Sequence, residues 1–200
     1  MNKNGIIYTI IFTFIIAFFF VFFLALANDA TVELVEQNKI VSVQSSVLKS
    51  IGKMPADEMK ISEVYTEEFD SVPQPGEMIE TEVAGQSVLI RYFSGSGLWG
   101  TITGIIAVDD KVERIIGLDI ISHNETPGLG GRIDEEWFKK QFSGEKISTE
   151  GITVAKGAGS SDEDSENSRV DGITGASLTS KSMETIVNNE IEYLKTEGRK

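Results

Sequence analysis

No charged side chain interrupts the stretch from Gly5 to Ala27, which is built mainly from Ile, Phe, Leu, Val and Ala. As a helix it exceeds the ~20 apolar residues needed to cross a hydrocarbon core of ~30 Å. A chain of this kind must divide into a membrane segment and whatever its remaining length can fold. A cleaved signal peptide is the alternative, since Ala25-Leu26-Ala27 imitates a small-residue cleavage site, but its apolar region would span only about 7–15 residues. The longer run favours an anchor. Lys3 and the amino terminus precede it, and Asp29, Glu33 and Glu36 follow it. Positive charge is retained on the cytoplasmic side. The N-terminus is therefore expected in the cytoplasm, with the rest of the chain on the extracytoplasmic (periplasmic) side of a single-pass inner-membrane protein.

Composition narrows the function classes. The chain has 200 residues, a formal net charge of −13, no cysteine and one histidine, His123. Nucleic-acid binding needs a basic face to neutralise phosphates, so a nucleic-acid partner is not expected. Without cysteine there is no disulfide and no thiolate iron–sulfur ligation. One histidine does not make a multi-histidine metal site, and no metal ligand set is expected. An electron carrier on this chain must be organic or belong to a partner. Four acidic residues, Asp162, Glu163, Asp164 and Glu166, cluster in Ser160 to Ser168, a run without apolar residues that reads as a mobile solvated loop. It lacks the glycine and spacing of an EF-hand.

After the anchor, Val35, Ile40, Val43, Val47, Leu48 and Ile51 recur at helical spacing, which predicts that the membrane helix continues as a stalk. Lys53 to Pro75 reads as connecting structure with a short helix or strand. Ser87 to Phe93, Leu98 to Val108 and Val112 to Ile121 read as strands. A Gly/Ser turn is expected at 94–97 and a hairpin at Asp109-Asp110-Lys111. A helix is expected over Ile133 to Phe142, with Trp137 and Phe138 inward, and a short strand within Ile147 to Lys156. Strands followed by helices without βαβ alternation predict an α+β fold with a mainly antiparallel sheet flanked by helices. The expected organisation is an anchor at 1–28, a juxtamembrane helical stalk and connector at 29–80, and a C-terminal domain at 81–200.

Two blocks carry the chemistry. In the first, Asp171-Gly172-Ile173-Thr174-Gly175-Ala176-Ser177-Leu178-Thr179 precedes a helical pattern through Met183, Ile186, Val187, Ile191 and Leu194. A helix N-terminus offers unpaired N–H groups and the positive end of a dipole, a natural seat for phosphate. The bland reading is a turn followed by a Ser/Thr cap. The second block contains Gly97-Leu98-Trp99-Gly100 and His123-Asn124-Glu125-Thr126-Pro127-Gly128-Leu129-Gly130-Gly131. Its glycines suit turns, and equally a backbone wrapped around a planar ligand. Trp99 is expected in the core, where aromatic residues dominate.

The first block resembles the flavinylation motif Asp-x-x-Ser/Thr-Gly-Ala-Ser/Thr, and the second resembles the FMN-binding domain family. That family serves the NqrC component of Na+-translocating NADH:quinone oxidoreductases and the RnfG component of Rnf-type ferredoxin:NAD+ oxidoreductases. The wording Glu-Thr-Pro-Gly-Leu-Gly-Gly with Trp137 leans toward the NqrC branch. The resemblance implies FMN joined by a phosphodiester to Ser177, with Thr179 as the fallback acceptor. Asp171, Thr174, Gly175 and Ala176 complete the motif, and Asp171 either caps the turn or serves the attaching enzyme. Leu129, with Gly128 and Gly130, is expected against the isoalloxazine face, Glu125 and Thr126 at its polar edge, and Lys156 near the phosphate. The implied partners are the other membrane subunits of such a complex and a Mg2+-dependent flavin transferase. The implied role is an electron-transfer subunit, not catalytically complete alone, with the ion path in other chains because the span carries no ionisable residue.

Three other readings compete. A free-standing anchored FMN carrier shares the motif. A flavin-free binding module would use Ser177 only as a cap. A hydrolase built on Ser177 and His123 lacks the closing glycine of a nucleophile elbow.

Overall fold

The computed structural model describes residues 5–157 and 161–197. Lys3, on which the orientation rests, and Ser160, the first residue of the acidic run, lie outside the described residues. The chain divides into two compact units, Met1–Ile40 and Val41–Lys200. Helix α1 (Ile6–Ser50) is the one described helix long and apolar enough to cross a membrane. The apolar side chains of its first unit are exposed, as expected of a surface made for lipid.

The second unit is α+β. A four-stranded antiparallel meander runs β1 (Met78–Val83), β2 (Gln86–Ser96), β3 (Thr101–Asp109), β4 (Ile115–Ser122), in that spatial order. Strand β1 was not foreseen, because Met-Ile-Glu-Thr-Glu-Val is half charged or polar. It sits at the sheet edge, and a two-residue Ala84-Gly85 turn, both at positive φ, joins it to β2. Strand β2 runs further than its apolar stretch: Ser94, Gly95 and Ser96 stay paired with Thr103, Ile102 and Thr101. The turn expected at 94–97 therefore falls at 97–100. Gly95 is needed because a Cβ there would lie 2.4 Å from Ile186. Strand β4 begins three residues later than expected, after a loop in which the Asp109 carboxylate accepts the Glu113 and Arg114 N–H groups.

Both sheet faces are covered, which explains the unbroken apolar runs of β2 and β3. One face packs Leu89, Phe93, Ile102, Ile106 and Val108 on α4 (Ser177–Glu197) and on α3 (Glu136–Lys140) with Phe142. The other packs Val88, Ile90, Tyr92, Ile105 and Ala107 on Val43, Val47 and Leu48 of α1 and on α2 (Ile61–Glu68). From Val41 onward, the segment read as stalk and connector thus supplies the layer that covers this second face of the sheet. Expected as one helix, 133–142 instead forms a short 3-10 turn over Gly130–Asp134 followed by α3. Phe138 is fully buried and Trp137 half-buried.

A second, parallel pair, β5 (Thr153–Ala155) and β6 (Arg169–Asp171), brackets the acidic run. Two side chains of α4 fasten β5: Asn188 exchanges hydrogen bonds with the Ile152 N–H and C=O, and Glu184 accepts from the Val154 N–H. The described part of the acidic run is anchored rather than free. Asp162 accepts from the Asp164 N–H and Asn167, Asp164 accepts from the Glu166 N–H, and Glu166 pairs with Arg114.

Candidate cofactor site

Ser177 is the first residue of α4 and is exposed. Gly175 reaches the helix through φ +83, a region that favours glycine. The helix start is closed by Ser180, whose Oγ accepts from the Ile173 N–H and donates to the Ala176 C=O, each at 3.0 Å. The Ser177 hydroxyl has no hydrogen-bond partner among the described residues, so it is not the cap. Beside it lies a recess of about 230 Å³ lined by Lys156, Thr174, Gly175, Ser177 and Ser180 among others. Lys156 is exposed there, and its carbonyl accepts from Arg169 at 3.0 Å.

Asp171 ends β6 and is buried. Gln141 holds its backbone on both sides, accepting from the N–H at 2.9 Å and donating to the C=O at 3.3 Å. Its carboxylate lies 3.7 Å from Arg169 and makes no hydrogen bond to the 172–175 turn among the described residues, so it does not cap that turn. A Cβ on Gly157 would overlap this carboxylate at 1.8 Å, so a glycine is required there.

A second cluster lies behind the helix start. The Glu125 carboxylate is 4% exposed: Oε1 accepts from the Leu98 N–H at 2.8 Å and the Trp99 N–H at 3.0 Å, and Oε2 accepts from the Thr179 hydroxyl at 2.6 Å. Burial would raise its pKa. The Thr179 hydroxyl, the two N–H donors and His123 outweigh burial and hold it below the ordinary carboxylate value. Glu125 therefore faces inward, a correction to its expected place at the polar edge of a ring: three donors inside the protein satisfy a carboxylate that an open ring edge would leave to solvent. Thr179 is 1% exposed with its hydroxyl engaged, which removes it as a fallback acceptor.

Around the cluster, Thr126 and Leu129 are exposed. The Thr126 carbonyl accepts from the Leu129 and Gly131 N–H groups at 3.1 and 2.9 Å, and Gly128 sits at φ +72. A Cβ on Gly175 would lie 3.4 Å from Leu129 Cδ2, so the Gly-rich loop reaches the motif turn. Trp99 is 69% exposed, overturning its expected place in the core: the turn that presents its N–H to Glu125 turns its ring outward. With Leu98, Leu129 and Leu178, it leaves four large apolar side chains exposed around the cluster.

The structure thus gathers Ser177, Thr174, Gly175 and Lys156 at one recess, brings Leu129 to its rim, and places Glu125, Gly130 and Thr179 together beneath the surface. Ala176 is buried, and Asp171 stands apart on Gly157. Sequence reasoning gave no part to Gln141, and none to Ser180 and Leu178 beyond their place at the start of the helical pattern. His123 accepts from the Glu125 N–H at 3.2 Å and lies 3.5 Å from Asp134, so it joins no Ser177 dyad. No group of metal-ligating side chains occurs among the described residues.

The FMN-binding domain family matches residues 97–192. The FMN-binding domain match starts where β2 ends, so it takes in the Glu125 cluster, the recess and most of α4, and leaves α1, α2, β1 and β2 outside. The chain is similar to the C subunit of the Na+-translocating NADH-quinone reductase of Neisseria meningitidis serogroup A, at 34% identity over 143 residues, 68% of this chain and 51% of the relative. It is also similar to the C subunit of the Pseudomonas aeruginosa reductase, at 30% identity over 115 residues, 56% of this chain and 44% of the relative. The chain spans about half the length of these relatives. The crystal structure of the corresponding C subunit from Parabacteroides distasonis superposes with a TM-score of 0.62 at 27% identity, over 80% of this chain and 94% of that one. The Shewanella oneidensis NqrC structure, at 17% identity and a TM-score of 0.61, shares the fold.

Proposed function

We propose that this chain is a membrane-anchored electron-transfer subunit of an ion-translocating oxidoreductase complex of the NADH:quinone type, carrying FMN joined through its phosphate to Ser177 Oγ. One observation carries the reading. Of the three hydroxyls that open α4, those of Thr179 and Ser180 are buried and hydrogen-bonded, whereas Ser177 is exposed beside a recess at a helix N-terminus. The fit to the group is chemical as well. First-turn N–H groups and Lys156 suit a phosphoryl group, and Leu98, Trp99, Leu129 and Leu178 offer apolar surface to a ring.

When bound, FMN supplies the redox chemistry, and the protein positions and tunes it. Attachment by a flavin transferase using FAD forms the Oγ–P bond and breaks the pyrophosphate P–O bond. AMP leaves, and the hydroxyl proton passes to a base on the transferase. Similarity to proteins that are themselves components of a reductase supports assembly with further membrane subunits, and the uncharged span leaves ion movement to them. The compact second unit lies outside the cytoplasm.

The test is intact mass and peptide mapping of protein made together with a flavin transferase. A gain of FMN less water on the Ser177 peptide, absent from Ser177→Ala, supports the reading. An unmodified chain beside a modified control protein refutes covalent attachment.

A further inference from the structure

Glu125 is a buried carboxylate that the flavin reading leaves without a role, and it joins three segments distant in sequence. They are the 97–100 turn, the Gly-rich loop that carries Glu125 itself, and the first turn of α4. We propose that Glu125 is a positioning residue: by gripping Thr179 and the Leu98–Trp99 backbone, it sets the rotation of α4 that turns Ser177 outward for flavin attachment. This rests on Ser177 being the acceptor.

The geometry follows from helix periodicity. Residues 177 and 179 are about 200° apart around a helix of 3.6 residues per turn. Drawing Thr179 inward onto Glu125 therefore points Ser177 to the opposite, solvent side. The same bond sits in the first turn, where α4 has no preceding helical turn to hold it.

The surroundings are built to the carboxylate. A Cβ on Gly97 would lie 2.5 Å from Glu125 Oε1, and one on Gly130 would lie 2.7 Å from Oε2 and 2.5 Å from Thr179 Oγ1. Two glycines that read as turn punctuation are thus required by a charged group packed against them. An anion suits the place because each oxygen accepts from a fixed donor, and charge-assisted hydrogen bonds are shorter and stronger than neutral ones. The Leu98 and Trp99 N–H groups would otherwise be unsatisfied beneath the surface, which is unfavourable.

The experiment measures the rate of covalent flavin attachment to the full chain by a transferase in excess, below each variant's unfolding temperature. Glu125→Leu should slow attachment by on the order of 10²-fold, the scale of a misplaced reacting group. Thr179→Val, nearly isosteric, should slow it in the same direction. Glu125→Gln should recover most of the rate, since its carbonyl accepts the two N–H groups and its amide donates to Thr179. In the double variant Glu125→Leu/Thr179→Val, attachment should be no slower than in Glu125→Leu, because one clamp is lost once. A general loss of stability would not give rescue by Gln or this non-additivity.

Attachment to folded Glu125→Leu at the wild-type rate would overturn the proposal, as would independent, multiplying effects. If Glu125→Leu does not fold, Thr179→Val decides, and a wild-type rate there overturns the clamp. A wild-type chain that accepts no flavin at all refutes the Ser177 reading first, and this inference with it.

Discussion

Removing one partner of the Lys139–Asp119 pair should unfold the second unit at markedly lower temperature. Asp119 lies in the middle of β4 and Lys139 near the end of α3. Lys139 Nζ is 2.7 Å from Asp119 Oδ1 and 2.8 Å from Glu136, and the Lys139 and Asp119 side chains are 9% and 4% exposed. Burial would lower the Lys139 pKa, but hydrogen bonds and charge from Asp119 and Glu136 outweigh it and hold it above 10.5. The sign follows: a raised cationic pKa contributes stability that is fully present below 10.5 and is lost as pH rises through the folded value. Lys139→Met keeps most of the stem's packing but leaves a buried carboxylate without its cation, which should cost about 3–5 kcal/mol. In a unit of this size that corresponds to about 6–20 °C in Tm. Asp119→Leu should cost less, because Lys139 keeps Glu136 at 2.8 Å as a partner. The double variant should recover to wild type or exceed it, since apolar replacement of a buried pair is often neutral or stabilising. Thermal and urea unfolding by circular dichroism at pH 7 gives all four corners of the cycle. Additive single losses, or losses below about 1 kcal/mol each, would show that the pair is not desolvated in this way.

Three further outcomes are expected. Gly128→Val meets open space, yet places a β-branched residue at φ +72, so it should destabilise through backbone strain by about 1–3 kcal/mol and lower flavin content, read by urea midpoint and absorbance. Gly117→Ala would set a Cβ 2.3 Å from the Ser50 carbonyl, where the end of α1 packs on β4, and should cost about 1–3 kcal/mol by the same urea assay. Glu145 has its pKa raised by burial and by Asp162 and Asp164, against the Arg169 and Ser168 N–H groups. A raised carboxyl pKa contributes stability below 4.5 that is lost as pH rises through the folded value, so Glu145→Gln should raise the urea midpoint at pH 7 and not at pH 4.

How much of this was legible depended on whether the physical cause was local. The membrane run and the three apolar strands follow from uninterrupted apolar sequence, α4 from helical periodicity, and the antiparallel α+β class from the order of these elements. Strand β1 escaped because an edge strand buries little, and β6 because Arg-Val-Asp is three residues whose pairing with β5 is set from outside. The candidate acceptor Ser177 and the Leu129 loop were singled out by motifs with fixed spacing. What no motif encodes is direction: Glu125 and Trp99 were each assigned the wrong side of the surface. The carboxylate goes in because three donors await it there, and the indole comes out because the turn donating to that carboxylate faces away from the core.

The same distinction bears on the acidic run. By composition alone it repels itself and belongs in solvent, and a chain of net charge −13 gives no reason to gather more acid near the start of α4. Gln141 supplies the reason it stays. Its Oε1 accepts from the Asp162 N–H at 2.7 Å and from the Asp171 N–H at 2.9 Å, so one neutral side chain ties the acidic segment to the first residue of the motif. Arg114 meets Glu166, and Arg169 meets Asp171, so basic groups from β6 and from the residue before β4 offset charge at both ends. Gln141 follows α3 directly, and α3 is held to β4 by Lys139. The ion pair in the core and the Asp171 backbone therefore lie on one continuous chain of contacts. Loosening the first should displace the second before the sheet itself gives way.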